Sequence, residues 1–375
     1  MAAKRSEFIV AVKEFKDYLS SWFFLAIFGL LVLIMIASIV TGTGTYNNQL
    51  STYNSELSRA ASVATGGAAF QPQMPSMMLV FESFSSIFVL VGWALPIVIG
   101  FSLISKEKES GSLKLLLARP TFRDSIINGK ILGSTAILVL SLAAAFLVGL
   151  AILLLEGIVP SGDDLLRLGT FFILVVFFSI SFLAIAIAAS ALAKNSTMAI
   201  LIAIVLVLFS LMVPYFADSI CQVVLGNAPT AMIPATGSSS TGGSSSTGGA
   251  TGGSGGNIVV QYGGGGRNST NTVRMQINPD YTTYMNTRNQ ITEALDLISP
   301  TSDLTGISNV VVSGEQSPVS TSGAAGMFNF RGRGMSSPTL GNTLPSLLPQ
   351  ILSLLVIVIA GFAIAYAKFV RMDVR

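Results

Sequence analysis

The chain has 375 residues, 51% of them hydrophobic and only 10% charged, with a net charge of +3 and a mean hydropathy of +0.71. A soluble domain carries about 25% charged residues, so the composition excludes an ordinary water-soluble protein of two or three domains. With no histidine and a single cysteine, Cys221, it also excludes imidazole metal sites, Ser-His-Asp triads, His proton relays and an internal disulfide framework.

In chain order, residues 3–20 come first. Phe8, Val12, Phe15 and Leu19 recur at helical spacing on one face, with Lys4, Glu7, Lys13, Glu14 and Asp17 elsewhere. The pattern predicts an amphipathic interfacial helix on the inner leaflet, its basic residues near anionic membrane lipid. The alternative is a charged stub that only fixes topology. Six apolar runs then follow, at about 22–40, 84–104, 131–155, 169–193, 197–217 and 347–367, and none contains Asp, Glu, Lys or Arg. Each matches the ~20 residues a helix needs to cross a hydrocarbon core ~30 Å thick. The expected fold class is an all-α integral membrane protein of six transmembrane helices with a large irregular extracellular segment before the last one. The first run follows a long charged segment and shows no small-residue cleavage pattern, so it reads as an uncleaved span, not a secretory signal.

Three regions result. Residues 1–217 hold the interfacial helix, five spans and the loop 105–130; residues 218–346 are Gly/Ser/Thr-rich; residues 347–375 are the last span and a tail. The first outer loop, about 41–83, is polar, rich in Ser, Thr, Asn and Gly and interrupted by Pro72 and Pro75. In the short connection 156–168, Asp163 and Asp164 are placed to begin a helix. Small residues cluster in the fourth span (Ser179, Ser181, Ala184, Ala186, Ala188, Ala189, Ser190), which suits close helix packing. Pro96 and Pro214 can kink the second and fifth spans where neighbours satisfy the freed carbonyls, with ordinary packing favoured over gating.

From Thr236 to Gly256 the sequence is low in complexity, with SSSTGG twice in tandem, and reads as an extended linker. Asn268 opens an Asn-Ser-Thr sequon, a possible glycosylation site if this segment is extracellular. Ile291, Leu295 and Ile298 suggest one short helix over 286–299. Arg331 and Arg333 in FNFRGRG form one isolated copy of an RGG-like patch, so nucleic-acid binding is not expected.

Lys/Arg bias sets orientation, because basic residues of short loops stay cytoplasmic. With six spans, one face collects 14 basic against seven acidic residues, and the other seven against eleven. Both termini and residues 105–130 are therefore expected in the cytoplasm, in the cell (plasma) membrane. Residue Cys221 then lies outside.

The spans hold no ionisable residue of the kind that ion-coupled carriers use. No G-x-x-x-x-G-K-[ST] phosphate loop exists, so ATP hydrolysis has no home in the chain. Energy for uphill transport would have to arrive from another polypeptide, through a structured cytoplasmic element.

Residues 105–130, SKEKESGSLKLLLARPTFRDSIINGK, offer that element, with nine charged side chains among the 26. Leu113, Leu116 and Leu117 form one helical stripe, and Pro120 stops that helix. Thr121 and Asp124 form an imperfect capping box for a second helix that runs through Gly129 and Lys130 into the third span. The leucines could lie in the inner leaflet or fill a groove on a soluble partner.

EKESGSL at 107–113, LLLARP at 115–120 and GK at 129–130 resemble the type-2 permeases of ATP-binding-cassette (ABC) transporters. The matching positions are Glu107, Glu109, Gly111, Leu113, Leu116, Leu117, Pro120, Gly129 and Lys130, with Ser112 where Thr is commoner. KEFKDYL at 13–19 resembles the family's helix before the first span. The resemblance covers roughly residues 1–217 and 347–375. It implies a non-enzymatic transmembrane subunit, most often of an exporter, with no cofactor of its own. ATP and Mg would be bound by a cytoplasmic ABC ATPase subunit. A second permease copy or paralogue would complete the pathway. Residues 107–120 would act as the coupling helix against the ATPase. A different class of protein, a non-transporting complex subunit or sensor using residues 218–346 for binding, would not need the inner-loop motif.

Overall fold

The computed structural model describes residues 2–63, 75, 77–111, 123–234, 258–263, 270–311 and 344–371. Helix α1 (Ala2–Leu19) is followed at once by α2 (Trp22–Val63), which runs 42 residues. The polar stretch after residue 40 reads as a loop in the sequence, yet α2 continues through it to Val63. No proline interrupts it, and its Ser/Thr hydroxyls turn back onto carbonyls three or four residues earlier: Thr41 onto Ala37, Thr52 onto Asn48, Ser55 onto Thr52.

The second span is broken. Helix α3 (Leu79–Val91) and α4 (Ala94–Gly100) meet at Gly92-Trp93, where the chain bends by 41° between Leu79–Val91 and the stretch Ala94–Glu109. Pro96 sits in the first turn of α4, where its missing N–H costs least. A turn at 101–104 leads into the five-residue α5 (Ser105–Glu109), which ends at Gly111 with φ +70°. That left-handed value suits glycine.

Helix α6 (Arg123–Leu155) and α7 (Gly162–Leu192) are the third and fourth spans. Asp164 does start α7: Ser161 Oγ accepts from Asp164 N at 3.2 Å, and Asp164 Oδ2 accepts from Ser161 N at 3.1 Å, a reciprocal cap. Helix α8 (Ser196–Leu225) includes Pro214. Among the described residues five helices are long and apolar enough to cross a membrane, and the bent pair, taken as one span, brings the number to six. The protein is an all-α integral membrane protein in its spanning part.

Helix α7 is the hub. Its small residues are buried as their composition suggests, and glycines of two neighbours rest on them. A Cβ at Gly361 would lie 2.8 Å from Ala184 Cβ, and one at Gly100 would lie 2.5 Å from Ala186 Cβ. Glycine is thus required for α4 and the last helix, α11 (Leu348–Val370), to pack this closely. A ring cluster fills the space between α3, α6 and α7. Phe84 meets Phe146 edge-on at 5.7 Å, Phe146 meets Phe172 at 4.9 Å, and Phe178 meets Phe182 at 5.0 Å.

The chain divides into two compact units, one of residues 1–213, 296–317 and 336–375, the other of 214–295 and 318–335. The second unit carries more order than the irregular segment expected from composition. Strands β1 (Met232–Pro234), β2 (Ile258–Gly263) and β3 (Thr270–Ile277) form an antiparallel sheet in the order β1-β3-β2, with Met232 opposite Ile277 and Ile258 opposite Met275. Helix α9 (Pro279–Asp296) follows, longer than the single helix read over 286–299, and none of its side chains is fully buried. Arg288 donates to Asp218 Oδ1 at 2.6 Å, a contact that raises the guanidinium's pKa. Cys221 is buried, 3.7 Å from Thr292 Oγ1 and 3.9 Å from Arg288 O.

A further helix, α10 (Pro300–Val311), belongs to the first unit. It packs on α7, α11 and α3 through the buried Leu304, Ile307, Val310 and Val311. The apolar spacing was present in the sequence but was masked by Ser, Thr and Gly between those positions.

Candidate functional site

Charge is scarce in this chain, and one end of the bundle concentrates it. Lys130, in the second turn of α6, is only 2% exposed. Its Nζ lies 2.6 Å from Glu14 Oε1 on α1 and 2.7 Å from Glu107 Oε1 on α5. A buried ammonium is tolerable only with such partners. Three elements that are distant in sequence are therefore joined at one nitrogen.

Glycines make the approach possible. A Cβ at Gly129 would lie 2.7 Å from Glu7 O, and one at Gly133 would lie 2.6 Å from Ala11 O. The two glycines stand four apart on one face of α6, and α1 lies directly on them. Tyr18, one turn beyond Glu14, donates its hydroxyl to Ile99 O of α4 at 2.5 Å. Burial, then the Glu14 charge, pushes the Tyr18 phenol well above its ordinary pKa.

On its other side α5 is bolted to the C-terminus of α7. Ser190 Oγ accepts from the backbone N–H of Ile104 at 3.0 Å and Ser105 at 2.9 Å. Lys108 Nζ donates to the free carbonyls of Ala191 (2.6 Å) and Ala193 (2.9 Å), which places a cation on the negative end of that helix. Glu109 Oε2 accepts from Ser196 N at 3.1 Å, a carboxylate at the positive end of α8. Asn195 caps the same helix by accepting from Met198 N. A cleft of about 510 Å³ opens beside this junction, its lining including Tyr18, Phe23, Phe24, Phe101, Lys106 and Glu109.

The residues singled out in the sequence divide into three groups. Glu107, Gly129 and Lys130 are inside the junction: Glu107 and Lys130 pair across it, and Gly129 lets α1 approach α6. Glu109 and Gly111 lie at its edge. Leu113, Leu116, Leu117 and Pro120 lie outside the described residues, as does Asn268. On α1, Phe8, Val12 and Leu19 are exposed, whereas Phe15 is half-buried against the core. Sequence reading missed Glu14, Tyr18, Lys108 and Ser190. For Glu14 the available signal was the rule that a lysine abutting an apolar span needs a counter-charge.

Through α5 the junction joins α1, α6, α7 and α8 by ion pairs and hydrogen bonds. The family model described as ABC-2 family transporter protein matches residues 8–374. That match runs through residues 218–346, which the sequence resemblance had left aside. No curated protein matches the chain. The chain belongs to the ABC-2 family of transporter proteins, as a multi-pass permease component of an ABC transporter.

Proposed function

We propose that this permease is an exporter subunit driven by a separate cytoplasmic ABC ATPase, which binds ATP and Mg and docks on residues 107–120. The observation that carries the reading is the Lys130–Glu14–Glu107 junction. It fastens the segment that precedes Leu113 to the bundle, so force applied at the leucine stripe reaches α1, α6, α7 and α8 together. A second copy or a paralogue supplies the other half of the pathway. Both termini and residues 105–130 face the cytoplasm of the plasma membrane, in keeping with the Lys/Arg bias.

Co-purification from mild detergent tests the coupling. The unmodified chain is expected to recover an ABC ATPase, and the Leu113→Asp/Leu116→Asp variant is expected to lose it. Recovery of no ATPase with the unmodified chain defeats the proposal; undiminished recovery with the variant defeats the assigned contact. Buried Cys221 is a poor topology probe, so orientation is better read after Cys221→Ser with single cysteines at Ser161 and Lys194. Position 161 is expected to react with an impermeant maleimide from outside, and position 194 only after the cell is opened.

A further inference from the structure

Away from the charged end, the first unit buries one carboxyl that the transport reading does not use. Asp303, in the first turn of α10, is 1% exposed. Among the described residues no Lys or Arg pairs with it, and its Oδ1 has no hydrogen-bond partner. The surroundings are hydroxyls. Ser299 and Thr301 donate to Ser210 O at 2.7 and 3.1 Å, seating the start of α10 on α8. Ser353, on α11, lies 2.6 Å from Asp303 Oδ2 and 2.6 Å from Leu297 O.

Those last two distances count protons. A serine hydroxyl has one hydrogen, and a backbone carbonyl can only accept. If Ser353 donates to Leu297 O, its contact with Asp303 Oδ2 is a hydrogen bond only when the carboxyl carries the hydrogen. If Ser353 donates to Asp303, the Leu297 contact is two acceptors pressed together at 2.6 Å. A protonated Asp303 satisfies both. We propose that Asp303 is a proton-binding site: its carboxyl holds a proton and donates it to Ser353 while α10 is seated, and yields that proton to water when α10 leaves.

The electrostatic surroundings agree. Burial pushes Asp303 up to about 7, and the Asp296 charge adds to the rise; the Ser353 contact acts in the opposite sense but is smaller. On the elements packed against α10, the charged groups are the exposed Glu82 on α3, Asp163, Asp164 and Arg167 at the start of α7, and exposed Lys368. Lys368 is about 22 Å beyond Ser353 along α11. Helix α8 contributes Ser210 and has no charged side chain between Ser196 and Val213. The positive start of α10 favours the anion, but only weakly compared with burial.

The sign follows from linkage. Free aspartate titrates near 3.9, so the seated state binds the extra proton between about pH 4 and 7. Seating is therefore strongest in acid, weakens by up to about tenfold per pH unit across that window, and is level above it.

Hydrogen–deuterium exchange of residues 300–311 in the full chain, corrected for intrinsic rates, tests this from about pH 5 to 8. Protection is expected to fall about tenfold per unit up to about pH 7 and then flatten. In Asp303→Asn, whose amide donates to Ser353 at every pH, protection should be independent of pH. Infrared spectra of the unmodified protein should show a protonated-carboxyl band that disappears over the same range, a measurement that does not depend on the variant folding. Flat protection in the unmodified chain, or an unchanged pH slope in Asp303→Asn, overturns the proposal.

Discussion

Replacing Lys130 by Met tests whether the charged junction holds the bundle or merely decorates it. The substitution keeps the side-chain volume roughly constant and removes the charge that two carboxylates share. Each Lys–Glu pair at 2.6–2.7 Å is attractive by about 6 kcal/mol at an effective dielectric near 20. The two carboxylate oxygens lie 2.6 and 2.7 Å from one nitrogen, so they are at most about 5.3 Å apart and repel by at least about 3 kcal/mol once it is gone. Glu14 and Glu107 are 12% and 16% exposed, which leaves water little access to relieve them. After relaxation, breaking a buried pair of this kind costs roughly 3–5 kcal/mol. Glu14→Gln should behave differently, because it leaves Lys130 paired with Glu107 and removes the surplus negative charge. Its cost is expected to stay below about 1 kcal/mol. Thermal unfolding in detergent, followed by the accessibility of buried Cys221 and by light scattering, gives the comparison. Lys130→Met should lower the transition by on the order of 10 °C and Glu14→Gln by about 2–3 °C or less. The Glu14→Gln/Glu107→Gln double variant, with a stranded ammonium, should resemble Lys130→Met. If Lys130→Met is as mild as Glu14→Gln, the reasoning from buried charge is refuted.

Gly133→Val would place a branched side chain where a Cβ already comes 2.6 Å from Ala11 O, prising α1 off α6. A loss of about 1–3 kcal/mol is expected, read as faster trypsin cleavage at Lys13 and Lys16 in native membranes. Ser161→Ala deletes the reciprocal cap of α7 and should cost about 1 kcal/mol, visible as faster amide exchange confined to that helix's first turn.

The six apolar runs, the helix before them and the acid pair that opens α7 are all legible in the sequence, because each rests on short-range rules. Hydrocarbon thickness demands about 20 apolar residues, one face demands helical spacing, and a capping box demands two residues three apart. The continuation of α2 past residue 40 was not legible, because composition cannot show that its Ser and Thr hydroxyls fold back onto their own helix. The small sheet escaped for a different reason: antiparallel pairing joins segments as distant as Met232 and Ile277, and no local pattern reports it. At the candidate site the sequence marked Glu107, Gly129 and Lys130 as a motif, but it could not say that they face inward. Only the tertiary structure decided that Lys130 sits between Glu14 and Glu107, and that Asp303 lies against Ser353 with an oxygen to spare. Burial and pairing are properties of what the folded chain brings together. A charge read along a line becomes a clamp or a proton site only when packing removes the water around it.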